Sequence, residues 1–528
     1  MYKGGFGLEE CVFSELRLRR QHKAEEDIDP HLEISSGRIP SCSIFWSFVV
    51  ILALAASVMF FTKGKKLNLP PVPKGRMPII GHLHMMDDNE AAHRTFARIS
   101  EKNGPLTMIY MGSKPTLLVS TAAIAEQVLK HNDQAFASRP FLTAGKTLGF
   151  DFKSIVFAPF GNYYKRLRRI YTVELLSPKR VALSQELRQI EVKHVMSSVL
   201  SDHLAGGPVN MTSKLQEMAI DNLIRMIFAK PNMGDKECLT REEMTTLKGV
   251  VKEAVNLARV IYVGDFIPLL DIYDFTGHKA KTMKLQAKMF ASAMALIEKN
   301  KSNEKPVVDK DKQNLVDILL SQEGDDRLPD HALAAVLFDF IIAGSDTTSV
   351  SIEWAIAELL HYPHFMKRAQ GEIDSVVGKD RLVDEQDIKN MPFLQATLAG
   401  YDIPAQTTVM LNLWAIGRDP AFWTNPKEFN PERFLNKDIT MFRRDFQLIP
   451  FSVGRRQCPG AGLGLAVVQL AVASLLHGFE WSTHNQKPEE MDMREKPGLV
   501  TPRMTDLVVR VVPRLPLHVY HGRENGQQ

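Results

Sequence analysis

The chain has 528 residues, of which 45% are hydrophobic and 24% are charged, so it is long enough to bury a large core. Its net charge of +4 is small and spread along the sequence, which excludes a basic nucleic-acid-binding surface of the usual kind. The 4 cysteines lie far apart, which excludes a zinc knuckle and a disulfide framework and favours a reducing compartment.

The first predicted element is a membrane anchor at residues 41–62, which contain no charged residue. As a helix this segment would be about 33 Å long, enough to cross a bilayer. A secretory signal peptide is the alternative, but its apolar region is usually shorter. Lysines and arginines crowd the C-terminal side, so the remainder is predicted to face the cytosol. Residues 1–40 form an extension that is either disordered or the product of an incorrect start site.

A basic, proline-rich hinge is predicted at residues 63–80, where the prolines forbid a continuing helix. One domain is predicted at 81–513, followed by a tail at 514–528. Strand-like pieces lie near its start, in PLTMIYMG and PTLLVST. Helical periodicity is strongest over residues 91–102, 122–131, 178–204, 246–258, 282–298 and 330–361. The expected fold class is therefore mainly α with a small β sheet.

A lone cysteine, Cys458, lies in FSVGRRQCPG (residues 451–460), directly before an apolar stretch that favours a helix. Such a cysteine commonly only packs in the core. Here Gly454 and Gly460 permit close backbone approach, and the helix N-terminus would stabilise a thiolate. Arg456 could lower the thiol pKa or pair with a carboxylate. A nucleophilic cysteine stays open as well, because any of the 16 histidines could be its base.

The spacing of Phe451, Gly454, Arg456, Cys458 and Gly460 resembles the haem-binding loop of the cytochrome P-450 family, and the chain is similar to its plant, microsomal members. The resemblance implies that Cys458 is the axial thiolate ligand of the iron in haem b, where it donates electron density that favours cleavage of the O–O bond. It also implies that Arg456 pairs with a haem propionate and that the other three residues shape the loop around the cofactor.

AGSDTT is a second motif, inside the predicted helix at 330–361. Threonine and aspartate in mid-helix usually face solvent or bond the preceding turn. The resemblance implies instead that Ala343 and Gly344 let haem approach the helix backbone. It implies that Asp346 and Thr347 deliver protons during dioxygen activation, since a hydroxyl can donate and accept while a carboxylate connects it to solvent.

NYYKRLRRI (residues 162–170) is rich in positive charge and could be only the solvated face of a helix. In the family a Trp-Arg-x-x-Arg pattern supports the haem propionates here, so the resemblance implies this role for Arg168. Tyr164 stands where tryptophan is usual and keeps a ring with a hydrogen-bonding tip. The other cations of this segment, with Arg455, would suit docking of an acidic flavin reductase.

The sequence departs from the family near NPERFL, whose Arg433 would normally join a buried Glu-x-x-Arg pair from an earlier helix. No glutamate between residues 361 and 456 is followed three residues later by arginine. A few dozen residues of the family pattern are missing after Thr397. We expect Arg433 to lack its ion-pair partners, and an uncompensated buried charge costs about 3–5 kcal/mol. A splicing or gene-model error is favoured, because the pattern resumes in register; a real variant that has lost haem is the alternative.

The resemblance, over residues 70–513, implies the cytochrome P-450 fold behind one membrane anchor in the endoplasmic reticulum, with the catalytic domain in the cytosol. It implies that one atom of dioxygen is inserted into a small, largely apolar substrate of secondary metabolism. The electrons would come from NADPH through a flavin reductase. A truncated, non-catalytic chain that competes for the reductase stays open. So does a haem enzyme that catalyses dehydration or rearrangement without a reductase, although the intact AGSDTT argues against it.

The substrate pocket is expected from the family's substrate-facing segments, and pocket shape decides the substrate. These segments correspond to residues 135–160, 336–344 and 498–502. Phe338, Phe340 and Leu499 are expected in the core rather than at the ligand. Asp339 either contacts a polar substrate or completes a network between helices.

Overall fold

The computed structural model describes residues 69–87, 89–229, 239–302, 309–387, 407–434, 446–498 and 500–521. The predicted extension, the membrane anchor and the break after Thr397 lie outside these residues. The described part of the predicted hinge lies against the domain that follows, because the Pro71 carbonyl accepts a hydrogen bond from the Met108 amide at 2.9 Å.

Helices make up most of the described chain, as the periodicity predicts. In chain order they are α1 Ala92–Asn103, α2 Ala122–Glu126, α3 Asp133–Phe136, α4 Thr143–Lys146, α5 Asn162–Arg169, α6 Pro178–Leu183, α7 Gln185–Leu204, α8 Met211–Phe228, α9 Arg241–Ala258, α10 Pro268–Asp271, α11 His278–Ser302, α12 Leu315–Leu320, α13 Asp330–His361, α14 Pro363–Val377, α15 Leu413–Ile416, α16 Ala461–Gly478 and α17 Leu517–His521. Two helices continue as π-helical turns, α2 over Gln127–His131 and α5 over Ile170–Leu175.

The helix predicted at 178–204 is wrong in one respect, because it is broken into α6 and α7. Ser184 separates them, and its hydroxyl donates to the carbonyl oxygens of Arg180 and Val181, both at 3.1 Å. A serine side chain that bonds the backbone competes with the regular helical pattern, which explains the break. The helix predicted at 330–361 has the same bounds in the structure as α13.

Strands form two small sheets. They are β1 Leu106–Met111, β2 Lys114–Val119, β3 Val209–Asn210, β4 Thr408–Leu411, β5 Phe479–Thr483 and β6 Val508–Pro513. In the first sheet β2 pairs antiparallel with β1 and parallel with β4. In the second sheet β6 lies between β3 and β5 and is antiparallel to both. The predicted small sheet near the start of the domain is therefore confirmed as β1 and β2.

The core is built around α13, which packs against α8, α9, α11 and α16. Its residues are buried along most of the helix and contribute to both of the largest apolar clusters. Within the described ranges, α13 and α16 are long and apolar enough to span a membrane, but most of each lies inside the protein. We therefore assign both as core helices. Because α13 crosses the interior, a polar or small side chain on it marks a place where the core opens.

Candidate active site

The loop before α16 holds Cys458 in a defined backbone geometry. The Cys458 amide donates to the Phe451 carbonyl at 2.9 Å, which closes the loop on itself. Gly454 has φ +76°, and a Cβ there would lie 2.4 Å from the Leu129 carbonyl oxygen, so only glycine fits. Gly460 is the N-cap of α16, which places Cys458 two residues before the helix cap. The side chain of Cys458 is exposed.

The pKa of the Cys458 thiol is raised above its ordinary value, mainly because surrounding protein desolvates it. The Gly460 amide donates to the sulfur and Arg168 lies near it, and both lower the pKa without overcoming the burial. A metal ion that binds this sulfur must displace a proton, which metal ions do readily for thiols.

Three arginines gather beside this loop. Arg168 on α5 donates to the Gln457 carbonyl, one residue before the cysteine. The Arg456 guanidinium lies 3.7 Å from the centre of the Tyr164 ring and donates to the Ala158 carbonyl at 2.6 Å. The pKa of Arg456 is lowered to about 10, mainly by burial and partly by the charges of Arg139 and Arg168. The structure thus brings together Cys458, Arg168 and Arg456, and it adds Arg139, which no local sequence pattern indicated.

Several cations predicted for partner docking are held within the chain instead. Arg166 donates to the Asp325 carbonyl, and Arg169 pairs with the Asp326 carboxylate. Arg455 pairs with Asp133 at 3.0 Å. Exposed ion pairs contribute little stability, but they reduce the net positive charge that a partner would meet. The basic face of α5 is therefore partly neutralised by acidic residues that precede α13.

A row of small side chains on α13 is exposed although the helix runs through the core. Ala343, Thr347 and Ser351 follow one another at intervals of four residues, so they share one face. The Thr347 hydroxyl donates to the Ala343 carbonyl at 2.7 Å. Its oxygen can still accept a hydrogen bond from the open side. The helix α16, which begins just after the cysteine loop, packs against α13.

Asp346 is buried and paired with an arginine that the sequence analysis did not identify. Its two carboxylate oxygens accept from Arg259 Nη2 at 2.8 and 2.9 Å. Arg259 is the C-cap residue of α9, 87 positions earlier in the chain. The pair fixes the carboxylate beside Thr347 and couples α13 to the end of α9. Sequence separation hid this contact, since no short motif joins the two residues.

Gly344 faces a neighbouring helix. A Cβ at this position would lie 2.8 Å from a methyl carbon of Leu223 on α8, so a side chain here would force Leu223 to shift where α8 packs against α13. Its predicted contact with a cofactor stays a prediction, whereas the exposed Ala343 beside it has the geometry expected for such a contact.

We expect Gly344→Ala to lower the free energy of unfolding by about 1–3 kcal/mol, because the added methyl overpacks the contact with Leu223. Gly371→Ala is the matched control: Gly371 lies within α14 with nothing within 4 Å of its Cβ position, so alanine should stabilise by about 0.5–1 kcal/mol. Chemical unfolding of the purified variants measures both effects. A Gly344→Ala variant as stable as the Gly371→Ala variant would contradict the packing.

The donor groups fit haem. None of the described carboxylates pairs with Arg139, Arg168 or Arg456, and the two propionates of haem would supply the missing negative charge. The exposed sulfur of Cys458 is a suitable iron ligand. The small side chains of Ala343 and Thr347 leave room for a flat group beside α13.

Arg433 is better satisfied than the sequence predicts. Its guanidinium donates to the carbonyl oxygens of Thr424, Asn425, Glu428 and Asn430 at 2.7–3.2 Å. The side chain is only half-buried, and no carboxylate of the described chain pairs with it. Among the described residues, Arg433 thus has no acidic partner, as predicted. The predicted full cost of a buried charge does not apply, because four carbonyl oxygens accept hydrogen bonds from the guanidinium.

Only part of the predicted substrate segments lies next to the site residues described above. Phe338 and Phe340 are buried in the core, as expected, and Leu499 lies outside the described residues. Asp339 completes a network within the protein, the second of the two roles expected for it. A cavity of about 340 Å³ lies elsewhere, between the end of α9 and the start of α11, and none of its lining residues belongs to the predicted segments.

The cytochrome P450 family model matches the chain in two pieces, residues 70–399 and 396–509. The pieces meet where the sequence analysis places the missing segment. The flavonoid 3'-monooxygenase of Petunia hybrida is 34% identical over 516 positions, covering 91% of this chain and 98% of that protein. The 516 aligned positions outnumber the residues of this chain that take part in the alignment. Some positions of the relative therefore have no counterpart in this chain.

Other relatives are similar over comparable lengths. The 3,9-dihydroxypterocarpan 6A-monooxygenase of Glycine max is 33% identical, covering 88% of this chain and 98% of that protein. Strychnine-10-hydroxylase of Strychnos nux-vomica is 33% identical, covering 86% of this chain and 93% of that protein. These relatives are named for adding oxygen, whereas the alternative of dehydration or rearrangement has no support from their names.

Proposed function

Because this chain belongs to the cytochrome P450 monooxygenase family, we propose that it inserts one atom of dioxygen into a small, largely apolar organic compound of plant secondary metabolism. The Cys458 loop is the observation that carries the proposal: an exposed sulfur at the start of α16 lies beside three arginines that lack a described carboxylate partner. The flavonoid and pterocarpan named in two relatives support a ring-containing substrate.

Each residue of the site has a distinct role in this proposal. Bound haem supplies the iron centre at which dioxygen is reduced. Cys458 holds the iron, and Arg168, Arg456 and Arg139 hold the propionates. Ala343 admits the flat ring system beside α13. Phe451, Gly454 and Gly460 shape the loop, of which Gly454 is the position where backbone geometry demands glycine.

Thr347 and Asp346 would move protons in this enzyme. The Thr347 hydroxyl lies on the exposed face of α13 and can donate a proton to oxygen while accepting one from water. Asp346 sits one residue away but is held by Arg259. We infer that Arg259 orders this carboxylate beside Thr347 and couples its position to the end of α9.

Removing Arg259 should show how much the Arg259–Asp346 pair stabilises the protein. We expect Arg259→Gln to lower the free energy of unfolding by about 3 kcal/mol, because a buried carboxylate loses its partner. In an Asp346→Asn background the same change should cost far less, since no charge is then left unpaired. Chemical unfolding of the four proteins of this double-mutant cycle measures the coupling. Additive effects of the two changes would contradict the assigned pair.

The electrons are proposed to come from NADPH through a flavin reductase. Lys165 lies on the exposed surface and supports docking of an acidic partner. Arg455 and Arg169 pair with Asp133 and Asp326, and Arg166 donates to the backbone carbonyl of Asp325, so fewer free cations serve this surface than the sequence suggested.

The proposed location is the endoplasmic reticulum membrane, crossed once by residues 41–62, with the catalytic domain in the cytosol. Exposed apolar side chains after α9 support contact with membrane lipid. Ile261, Ile272 and Phe275 are 61%, 72% and 73% exposed, and a patch of this kind is uncommon on a protein surrounded by water.

Isotope labelling tests the proposed reaction. The full chain, a plant reductase and NADPH are incubated under ¹⁸O₂ with a panel of flavonoids and other ring compounds. The proposal predicts a product that contains one ¹⁸O atom and forms only with NADPH and reductase. A product with no label, or formation without the reductase, would favour dehydration or rearrangement instead.

A second candidate function follows from the divided family match. A chain without the Glu-x-x-Arg segment could fail to retain haem and only compete for the reductase. Titrating the full chain into an assay of another cytochrome P450 with limiting reductase distinguishes this case: inhibition by a haem-free preparation supports the competitor. Sequencing the transcript across Thr397 and Leu398 decides whether the missing segment belongs to the natural protein.

A further inference from the structure

Asp339 on α13 is a partly buried acid to which the proposed reaction gives no role. Its carboxylate accepts hydrogen bonds from the Ser154 hydroxyl at 2.6 Å and the Ile155 amide at 2.8 Å. A third donor, the Tyr171 hydroxyl, lies at 3.3 Å. Two of the three donors belong to residues 150–158, which we call the strap. The carboxylate therefore fastens the strap to the central helix.

The strap is fastened at its other side to the cysteine loop. Arg456 donates to the Ala158 carbonyl at 2.6 Å and to the Ile155 carbonyl at 3.4 Å. Arg139 donates to the Val156 carbonyl at 3.1 Å. Ile155 thus bonds Asp339 through its amide and Arg456 through its carbonyl. The strap connects α13 with two of the arginines assigned to the propionates.

The backbone at the start of the strap is strained. Phe150, Asp151 and Phe152 have φ values of 51°, 52° and 61°, the left-handed region that side chains other than glycine disfavour. Three such residues in succession persist only when surrounding contacts hold them. The bonds to Asp339 follow directly after them, so we assign part of that restraint to this carboxylate.

Asp339 also lies on the face of α13 that the proposed site uses. Asp339, Ala343 and Thr347 are spaced by four residues, which places them above one another with about 6 Å of helix rise between neighbours. Ala343 and Thr347 are exposed, whereas Asp339 is covered by the strap. The strap therefore closes one end of the open face.

An ionised carboxylate in this place is unfavourable for the fold. Burial raises the pKa of Asp339 from its ordinary value to about 6, although Ser154, Ile155 and Tyr171 lower it by hydrogen bonding. Since the folded protein binds the proton more tightly than the unfolded chain, this group favours folding at low pH and loses that contribution as the pH rises through about 6. A residue that weakens the fold at neutral pH points to a functional reason for its presence.

Other titratable groups lie close to Asp339 and to the strap. Tyr171 and Tyr163 face it from α5 and its continuation, and burial raises the pKa of both phenols. Lys153 of the strap is directed at the Tyr163 ring, 5.3 Å from its centre. His331, on the same helix, stacks on Phe290 of α11 with ring centres 4.4 Å apart.

We propose that Asp339 is a positioning residue whose carboxyl group holds the strap closed over the substrate-facing side of α13 and keeps Arg456 in place. The proposal rests on the function proposed above, which assigns that face and that arginine. Both carboxylate oxygens act as acceptors for the strap. Asp339→Asn replaces one of these oxygens with an NH₂ group and so removes one of the two acceptors that the strap uses.

Hydrogen exchange of the strap amides tests the proposal on the full chain, with or without haem. In Asp339→Asn we expect peptides covering residues 150–158 to exchange at least tenfold faster at pH 7.5. In the wild type, exchange corrected for its intrinsic pH dependence should fall between pH 7.5 and 5, because the closed strap raises the pKa of Asp339 and so binds its proton more tightly than the open strap does. The variant should show no such fall, because it has no carboxyl group to titrate.

Asp221→Asn is the matched control, since burial also raises the pKa of Asp221, which pairs with Lys248 away from the strap. This variant should leave strap exchange unchanged. Equal strap exchange in wild type and Asp339→Asn overturns the proposal, as does an equal increase in the control. If Asp339→Asn fails to accumulate, the wild-type pH series decides: a flat series overturns the proposal.

Failure of the proposed function is seen separately. Lack of bound haem or of labelled product in the wild-type preparation would reject the monooxygenase without changing the exchange result. Titration with 4-phenylimidazole, a probe that binds haem iron, adds a second measurement on haem-loaded protein. Its dissociation constant should change at least threefold in Asp339→Asn and stay unchanged in Asp221→Asn. Equal constants for wild type and Asp339→Asn would overturn the assigned effect on the site.

Discussion

Cys458→Ser is expected to abolish both the haem-thiolate pigment and turnover. A serine hydroxyl does not ionise near neutral pH and is a poor ligand for haem iron, whereas a thiol gives up its proton to the metal. The fold should survive, because the side chain is exposed and the loop is closed by the Cys458 amide, which serine retains. The ratio of Soret absorbance to protein absorbance measures the loss of pigment, and circular dichroism checks the fold.

Cys238→Ser is the control for that experiment, since it removes a thiol far away in the sequence. It should retain haem and activity. A nucleophilic cysteine, the alternative that the sequence left open, would give a different pattern: activity would be lost in Cys458→Ser, but no haem would be present in the wild type. Cys458→Ser protein that keeps wild-type haem content and turnover would remove the basis of the assignment.

Thr347→Val is expected to lower product formation about 100-fold while leaving haem content unchanged. Valine has nearly the shape of threonine, so packing is conserved, but the group that donates protons on the open face of α13 is lost. General acid catalysis by a positioned side chain contributes about 10²–10⁴-fold to rate, and we take the lower end because water can enter an exposed site.

The ratio of product to NADPH consumed measures this effect, because electrons that do not reach substrate are lost to reduced oxygen species. Thr347→Ser is the matched control: it keeps the hydroxyl and should retain most of the coupling. Equal loss in the serine and valine variants would contradict the assigned role, because serine keeps the hydroxyl. Wild-type coupling in Thr347→Val would show that the hydroxyl takes no part in proton delivery.

The predictions from sequence succeeded where the signal is local. The periodicity of α13 and of the stretch after Cys458 follows from burial of one face or of the whole helix, so the structure has these helices where they were expected. The glycine of the cysteine loop is a second case, because the left-handed φ of Gly454 is a property of a few consecutive residues. The family resemblance then gave these local patterns a role.

Predictions failed or stayed incomplete where the cause lies far away in the chain. Arg259 reaches Asp346, and Asp326 neutralises Arg169, through contacts between segments more than 80 residues apart. The thiol pKa of Cys458 depends on how much protein surrounds it, which no motif encodes. The packing of Gly344 against Leu223 was likewise not indicated by any local pattern. Packing decided each case, and packing is a property of the folded chain.

The most direct test of the central claim is the absorbance change when carbon monoxide binds the reduced, purified full-length protein. If Cys458 binds haem iron through its thiolate, the difference spectrum will have the strongly red-shifted Soret band typical of the family, and Cys458→Ser will lack it. Haem that gives an unshifted band, or a folded wild-type protein that binds no haem at all, would contradict the account.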